Sequence, residues 1–268
     1  MKKIITSEPD TLVEYLNKIW QYRSLIIVFA KRDLKVKYAQ TWLGLGWTIV
    51  QPLTALVVYT LFFSLLMNFK SSYPYVLFVL TGIMIWGLFN YIFSQASNSL
   101  LNNQDIIRKM SFPKIILPLS KIIVALVEFG VTIILFFTAL IFLYPFIKWQ
   151  IIFSLFIVVN VIIFSLGLSL ILSAATIKYR DLNHVVPFLV NFGIWFTPVF
   201  YPVSLIPEKW AHLIYLNPMA SFVQLFRCTV LPEKFQMEML LGIPTGLVIF
   251  TIGFFYFKSI EDSIVDSI

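Results

Sequence analysis

Polar chemistry is scarce in this chain, and the few groups that could perform any are easily named. Glu128 sits inside a long apolar run. A bare carboxylate at membrane depth is costly, so it must turn toward other protein groups and be hydrogen-bonded or protonated. That fits a proton relay or a polar channel wall. A single acid in the spans is too few for a relay, and a helix–helix hydrogen bond, or a place near the membrane surface, is the simpler expectation. The segment Lys31, Arg32, Lys35 and Lys37, with Leu34, Val36 and Tyr38 interleaved, describes an amphipathic helix lying at the inner interface. Such a helix serves as a basic anchor drawn to anionic lipid or as a moving gate. Cys228 is the single cysteine, so no intramolecular disulfide forms, and His184 and His212 are too few for a metal site. Glu128, Asp181 and His184 do not make the cluster that an intramembrane glycosyl or acyl transferase needs. No glycine is followed by lysine, so the phosphate-cradling loop of an ATPase is missing. G-x-S-x-G and H-E-x-x-H are absent as well.

The elements that must hold these groups are apolar. Of the 268 residues 59% are hydrophobic and 12% charged, with a mean hydropathy of +0.88, against roughly 25% charge in soluble domains. Lipid must be the solvent for much of the chain. Six apolar stretches are candidates for crossing: 47–67, 75–93, 122–143, 151–175, 185–200 and 240–257, each measured against the roughly 20 residues that a spanning helix needs. The fifth is short and holds Pro187 and Pro198. All Lys and Arg except Lys70, Lys148, Lys209, Arg227 and Lys234 fall on one side of this arrangement. The rule that basic loops stay inside then places both termini in the cytoplasm. The first 40 residues do not read as a signal peptide. The whole reads as one all-α integral membrane domain: an N-terminal interface segment, 1–44, then a six-span core, 45–260. No nucleic-acid partner is expected.

Between spans two and three, residues 104–118 form a basic loop whose start, 102–107, suits a short helix ending before Pro113. It is either a docking helix or a plain stop-transfer loop. Residues 204–236 are too mixed to span and too apolar to be a free loop, and predict two short helices broken at Asn217-Pro218. Irregular backbone of this kind survives in a membrane only when buried against protein or lining a cavity. Ser165, Gly167, Ser169 and Ser173 predict close helix packing. Tyr59, Phe62 and Phe63 in span one, and Trp195, Phe196, Phe200 and Tyr201 near the outer end of span five, fit an aromatic belt. They also fit a set of aromatic faces along which sugar rings slide.

Four stretches resemble the membrane subunits of type 2 ABC exporters for bacterial surface polysaccharides: RDLKVKYAQTWLGLGWTIVQPL (32–53), RKMSFPKIILP (108–118), KYRDLNHVVPFLVNFGIWFTPVFYP (178–202) and LNPM (216–219). The resemblance implies a homodimer of six-span subunits in the cytoplasmic membrane, above two ATP-binding subunits. It implies no enzyme and no cofactor in this chain, ATP and Mg being held by the partner. The N-terminal gate helix would correspond to Arg32, Lys35, Lys37, Tyr38 and Trp42. The coupling helix would correspond to Asn103, Gln104, Asp105, Ile106, Ile107, Arg108 and Lys109. Channel aromatics would come from Tyr59, Phe62, Phe63, Trp195, Phe196, Phe200 and Tyr201. The implied cargo is a lipid-linked (undecaprenyl pyrophosphate) glycan, most simply O-antigen, with Arg32, Lys35 and Lys37 suited to its pyrophosphate. Teichoic acid, capsule, or a small lipid or drug are the alternatives on the same architecture.

Overall fold

A computed structural model describes residues 11–39, 41–67, 73–145, 148–179 and 181–267. Lys2, Lys3, Lys70 and Arg180, used above to orient the chain, lie outside the described residues. Among those described there is no strand. Two helices precede the first apolar stretch, one more than the sequence reading gave: α1 (Leu12–Gln21) and α2 (Arg23–Tyr38). Thr11 opens α1 with a capping box. Its hydroxyl accepts from the Glu14 amide at 3.3 Å, and the Glu14 carboxylate accepts from the Thr11 amide at 2.9 Å. Ahead of the first apolar stretch a single turn, Gly44–Gly46, opens on Gly44, whose φ of +50° lies in the left-handed region that favours glycine.

The apolar stretches become α3 (Trp47–Met67), α4 (Tyr75–Ser97), α6 (Ile116–Leu143), α7 (Ile152–Lys178) and α11 (Gly242–Ser267), with the short α5 (Gln104–Lys109) between α4 and α6. Among the described residues four helices are long and apolar enough to cross a membrane: Tyr75–Ser97, Ile116–Leu143, Trp149–Lys178 and Met237–Glu261. α3 adds an apolar helix of 21 residues. The fifth stretch departs from expectation. Its helix, α8 (Leu182–Gly193), has 12 residues, about 18 Å at 1.5 Å per residue, and crosses no hydrocarbon core by itself. The chain then turns irregularly through 194–202, where Pro198 and Pro202 lack amide donors and disfavour helix in the residue before them.

α4 is the hub. It is buried on most sides and packs against α3, α6, α7, α8 and α10 (Pro218–Val230). α7 and α11 meet through glycines. A Cβ on Gly167 would fall 2.5 Å from the Phe250 Cα, and one on Gly253 would fall 2.2 Å from the Gly167 carbonyl oxygen. Ser165, Ser169 and Ser173 are buried as well, and the Ser169 hydroxyl donates to the Ile92 carbonyl of α4 at 3.4 Å, so the small residues of that span pack helices, as expected. The segment after α8 contains only single turns, with α9 (Glu208–Ala211) among them. α10 then begins at the expected break: Asn217 Oδ1 accepts from the Met219 amide at 3.0 Å, and Pro218 occupies the first helical position.

Two apolar cores result. The larger joins α4, α6, α7 and α10. The smaller gathers Tyr15, Phe29, Ile107, Phe112, Ile116, Leu170 and Phe257, so α1, α2, α5 and the adjoining ends of α6, α7 and α11 share one end of the molecule. This is the end rich in Lys and Arg.

Candidate functional site

α2 lies along α6 and is tied to it by two ion pairs of opposite sense. Asp33 on α2 meets Lys121 on α6, and Lys37 on α2 meets Glu128 on α6. Asp33 also takes both arms of its neighbour Arg32, at 2.7 and 3.0 Å. On α2 the paired positions are four apart, and on α6 seven apart, so each pair shares a helix face. The reversed polarity fixes register. A slide that brought Asp33 toward Glu128, or Lys37 toward Lys121, would set like charges together. Glu128 is also reached by the Tyr38 hydroxyl at 3.2 Å. Burial first, then the Glu128 charge, holds the Tyr38 phenol well above its ordinary range, so it remains a donor.

Lys37 and Glu128 form one end of a cavity of about 440 Å³ between α2, α3, α4 and α6. Lys37 Nζ also lies 4.6 Å from the ring centre of Tyr91, a cation–π contact. The cavity follows α4 from Gln95 to Ile83, twelve residues or about 18 Å. Its two ends differ. Near Lys37 it is lined by Asn90, Tyr91, Ser94 and Gln95 of α4 and by Thr48 and Gln51 of α3; toward the other end by Trp86, Tyr59 and Phe200. Gly87 opens into it, and a Cβ there would meet nothing within 4 Å. The sequence reading missed the α4 amides and hydroxyls. Their signal was available: Asn90/Ser94 and Tyr91/Gln95 recur four residues apart in an otherwise apolar span.

The expected aromatics divide. Tyr59 stacks on Phe200 with ring centres 3.5 Å apart. Phe63 and Trp195 each approach Phe200 at 6.1 Å, and the Tyr201 hydroxyl donates to the Trp195 carbonyl at 3.0 Å. Phe62 and Phe196 point outward, 62% and 72% exposed, as belt residues do. The irregular backbone beneath Phe200 is held by Arg227 of α10, whose side chain is wholly buried. Its guanidinium donates to the carbonyls of Pro198 (2.6 Å), Val199 (2.6 Å) and Phe78 (3.1 Å), and lies over the Phe78 ring at 3.5 Å. Gly82 leaves room for it: a Cβ there would be 2.8 Å from Arg227 Nη2. Nothing in the sequence distinguished Arg227 from an ordinary loop cation.

The expected gate residues also separate. Arg32 and Lys37 are engaged on acids, Lys35 is exposed, and Trp42 lies past the end of α2 and is 97% exposed. The expected coupling segment is helical, as a short turn (Leu101–Asn103) running into α5. Asn103 and Ile107 are buried, Gln104 and Ile106 partly so, and Asp105, Arg108 and Lys109 are exposed, so one side seats in the smaller core and the other faces out. Just beyond, Glu261 of α11 accepts from the Tyr15 hydroxyl and the Lys114 amide. Burial lowers the Lys114 ammonium's affinity for its proton, with the Glu261 carboxylate opposing. One locus therefore joins α1, the loop after α5, and α11.

The model of the ABC-2 type transporter family matches residues 24–231, from the second residue of α2 to just past α10. Three curated relatives align over most of their length. The O-antigen export system permease protein RfbA of Myxococcus xanthus is 29% identical over 79% of this chain and 82% of that protein. Two proteins of the same name from Klebsiella pneumoniae are 30% and 32% identical, each over 88% of this chain and 92% of their own. With its apolar helices, its short partly exposed α5 and a match across more than half its length, the chain belongs to the ABC-2 type transporter family, as a multi-pass membrane subunit.

Proposed function

We propose that this chain is the permease subunit of an ATP-driven exporter that moves a lipid-linked glycan of the O-antigen class across the bacterial cytoplasmic membrane. The observation that carries this reading is the similarity to O-antigen export permeases over 79–88% of the chain. The amide, hydroxyl and aromatic lining of the cavity supports it, since sugars are held by hydrogen bonds and stacked faces. Six crossings are made by α3, α4, α6, α7, the 182–200 segment and α11, with both termini cytoplasmic. Two copies pair as a homodimer, and the exposed apolar sides of α3 (Val57, Val58, Leu61) and α8 (Phe188, Leu189) supply surface for that contact. Two ATP-binding subunits hold ATP and Mg and receive the exposed side of α5. Their closure pushes α5, and through the smaller core α2, so that the entrance beside Lys37 opens.

The test is made in the protein's own bacterium. Deleting the gene removes the surface glycan and leaves the lipid-linked form inside. The double variant Asp105→Arg/Lys109→Glu inserts normally but no longer co-purifies the ATP-binding subunit. Unchanged surface glycan in the deletion strain rejects the reading.

A further inference from the structure

Anionic phospholipids outnumber any lipid-linked glycan in a bacterial membrane, so a free lysine at the inner leaflet would select nothing. Lys37 is not free: its ammonium is held by Glu128. The two groups are unequally supported. Glu128 has a second donor in the Tyr38 hydroxyl at 3.2 Å, whereas the other neighbours of Lys37 are the rings of Tyr91 and Tyr38, at 4.6 and 5.8 Å. Lys37 is also the more exposed side chain, 38% against 22%. An arriving cation would take Glu128 and leave Lys37 without an acid. An arriving anion would take Lys37 and leave the carboxylate with Tyr38. The neutral donors nearby, Asn90, Ser94 and Gln95, favour an anion with several oxygens.

We propose that Glu128 is an internal competitor that sets the charge threshold of this site. It occupies Lys37 against the single charge of a phospholipid phosphodiester and yields it to the diphosphate of a lipid-linked glycan. This rests on the export reading and adds a specificity-determining residue to it. The Asp33–Lys121 pair keeps α2 seated while the Lys37 side chain, on its flexible stem, changes partner.

The test is competition binding to full-length protein in phosphatidylcholine nanodiscs. A radiolabelled polyprenyl diphosphate is displaced by phosphatidylglycerol or by the uncharged polyprenol of equal length. Wild type prefers the diphosphate, and the polyprenol does not compete. Glu128→Gln raises affinity for phosphatidylglycerol and for the diphosphate alike by about tenfold, the worth of one charged hydrogen bond, so that phosphatidylglycerol occupies the site at concentrations that leave wild type empty, while Glu128→Asp keeps the wild-type affinities. Lys37→Gln weakens diphosphate binding by a similar factor. Tyr38→Phe, a change with little folding risk, removes the carboxylate's other donor, ties it harder to Lys37, and weakens both anions. Unchanged phosphatidylglycerol and diphosphate affinities in both Glu128→Gln and Tyr38→Phe overturn the proposal, as does wild-type affinity in Lys37→Gln. Wild-type protein that exports glycan yet shows no diphosphate preference overturns this proposal alone. Protein that discriminates as described while the deletion strain keeps its surface glycan overturns the export reading alone.

Discussion

Arg227 and Lys121 show how differently two cations can be kept away from water. Among the described residues Arg227 has no acid in direct contact, and it donates to three backbone carbonyls around a segment whose prolines prevent helix formation. Arg227→Met would orphan those carbonyls, each worth roughly 1–3 kcal/mol when buried. A fall of about 3 kcal/mol is expected, read as a large drop in detergent melting temperature with loss of the Tyr59–Phe200 contact. Lys121 is 9% exposed and relies on Asp33. Asp33→Asn should therefore cost about 2 kcal/mol, because it strands a nearly buried ammonium. Arg32→Gln, on the same acid but 36% exposed, should cost under about 0.5 kcal/mol. Equal melting temperatures for these two variants would contradict the contrast. At this scale the sequence was half legible. The cost of a carboxylate in an apolar run required a partner for Glu128, but that partner, Lys37, is 91 residues away, beyond the reach of any local pattern.

The seams between helices follow from residue size. Gly167 and Gly253 let α7 and α11 touch backbone to backbone, so Gly167→Leu must push them apart and should lower stability by about 2 kcal/mol, within the usual range for overpacking. Gly87 is the reverse case, since its added side chain would enter open cavity. Gly87→Phe should fold with unchanged melting temperature, yet block passage. The long apolar runs made α4, α6, α7 and α11 readable, because in lipid a helix satisfies its own backbone. The stretch 182–200 was not readable as it folds. Its composition is as apolar as a span, and although Pro198 and Pro202 are visible in the sequence, the path of the chain after Gly193 is set together with contacts to α4 and Arg227. Likewise α1 escaped notice because it is only 10 residues long, too short to stand out beside the spans although most of it is apolar. Thr11 and Glu14 in capping-box spacing were the available signal.

Across the whole molecule, α5 sits on the smaller core with α1 and α2, while the cavity lies between α2, α3, α4 and α6. Ile107, Phe112 and Phe29 share that core, the last two with ring centres 5.7 Å apart, so apolar contacts connect α5 to α2, the helix that carries Lys37. The Tyr15–Glu261 contact fastens α1 to α11 at the same end. Both lie outside the family match, which spans residues 24–231, so similarity alone would not have placed them. The most direct test of the account is transport in proteoliposomes containing this chain and its ATP-binding subunit, with a lipid-linked O-glycan on one face. ATP should carry the glycan across with wild-type protein. Gly87→Phe should hydrolyse ATP at the wild-type rate while moving at most about a tenth as much. Wild-type transport by Gly87→Phe would contradict the assignment of this cavity as the path, and transport without the ATP-binding subunit would contradict the export mechanism itself.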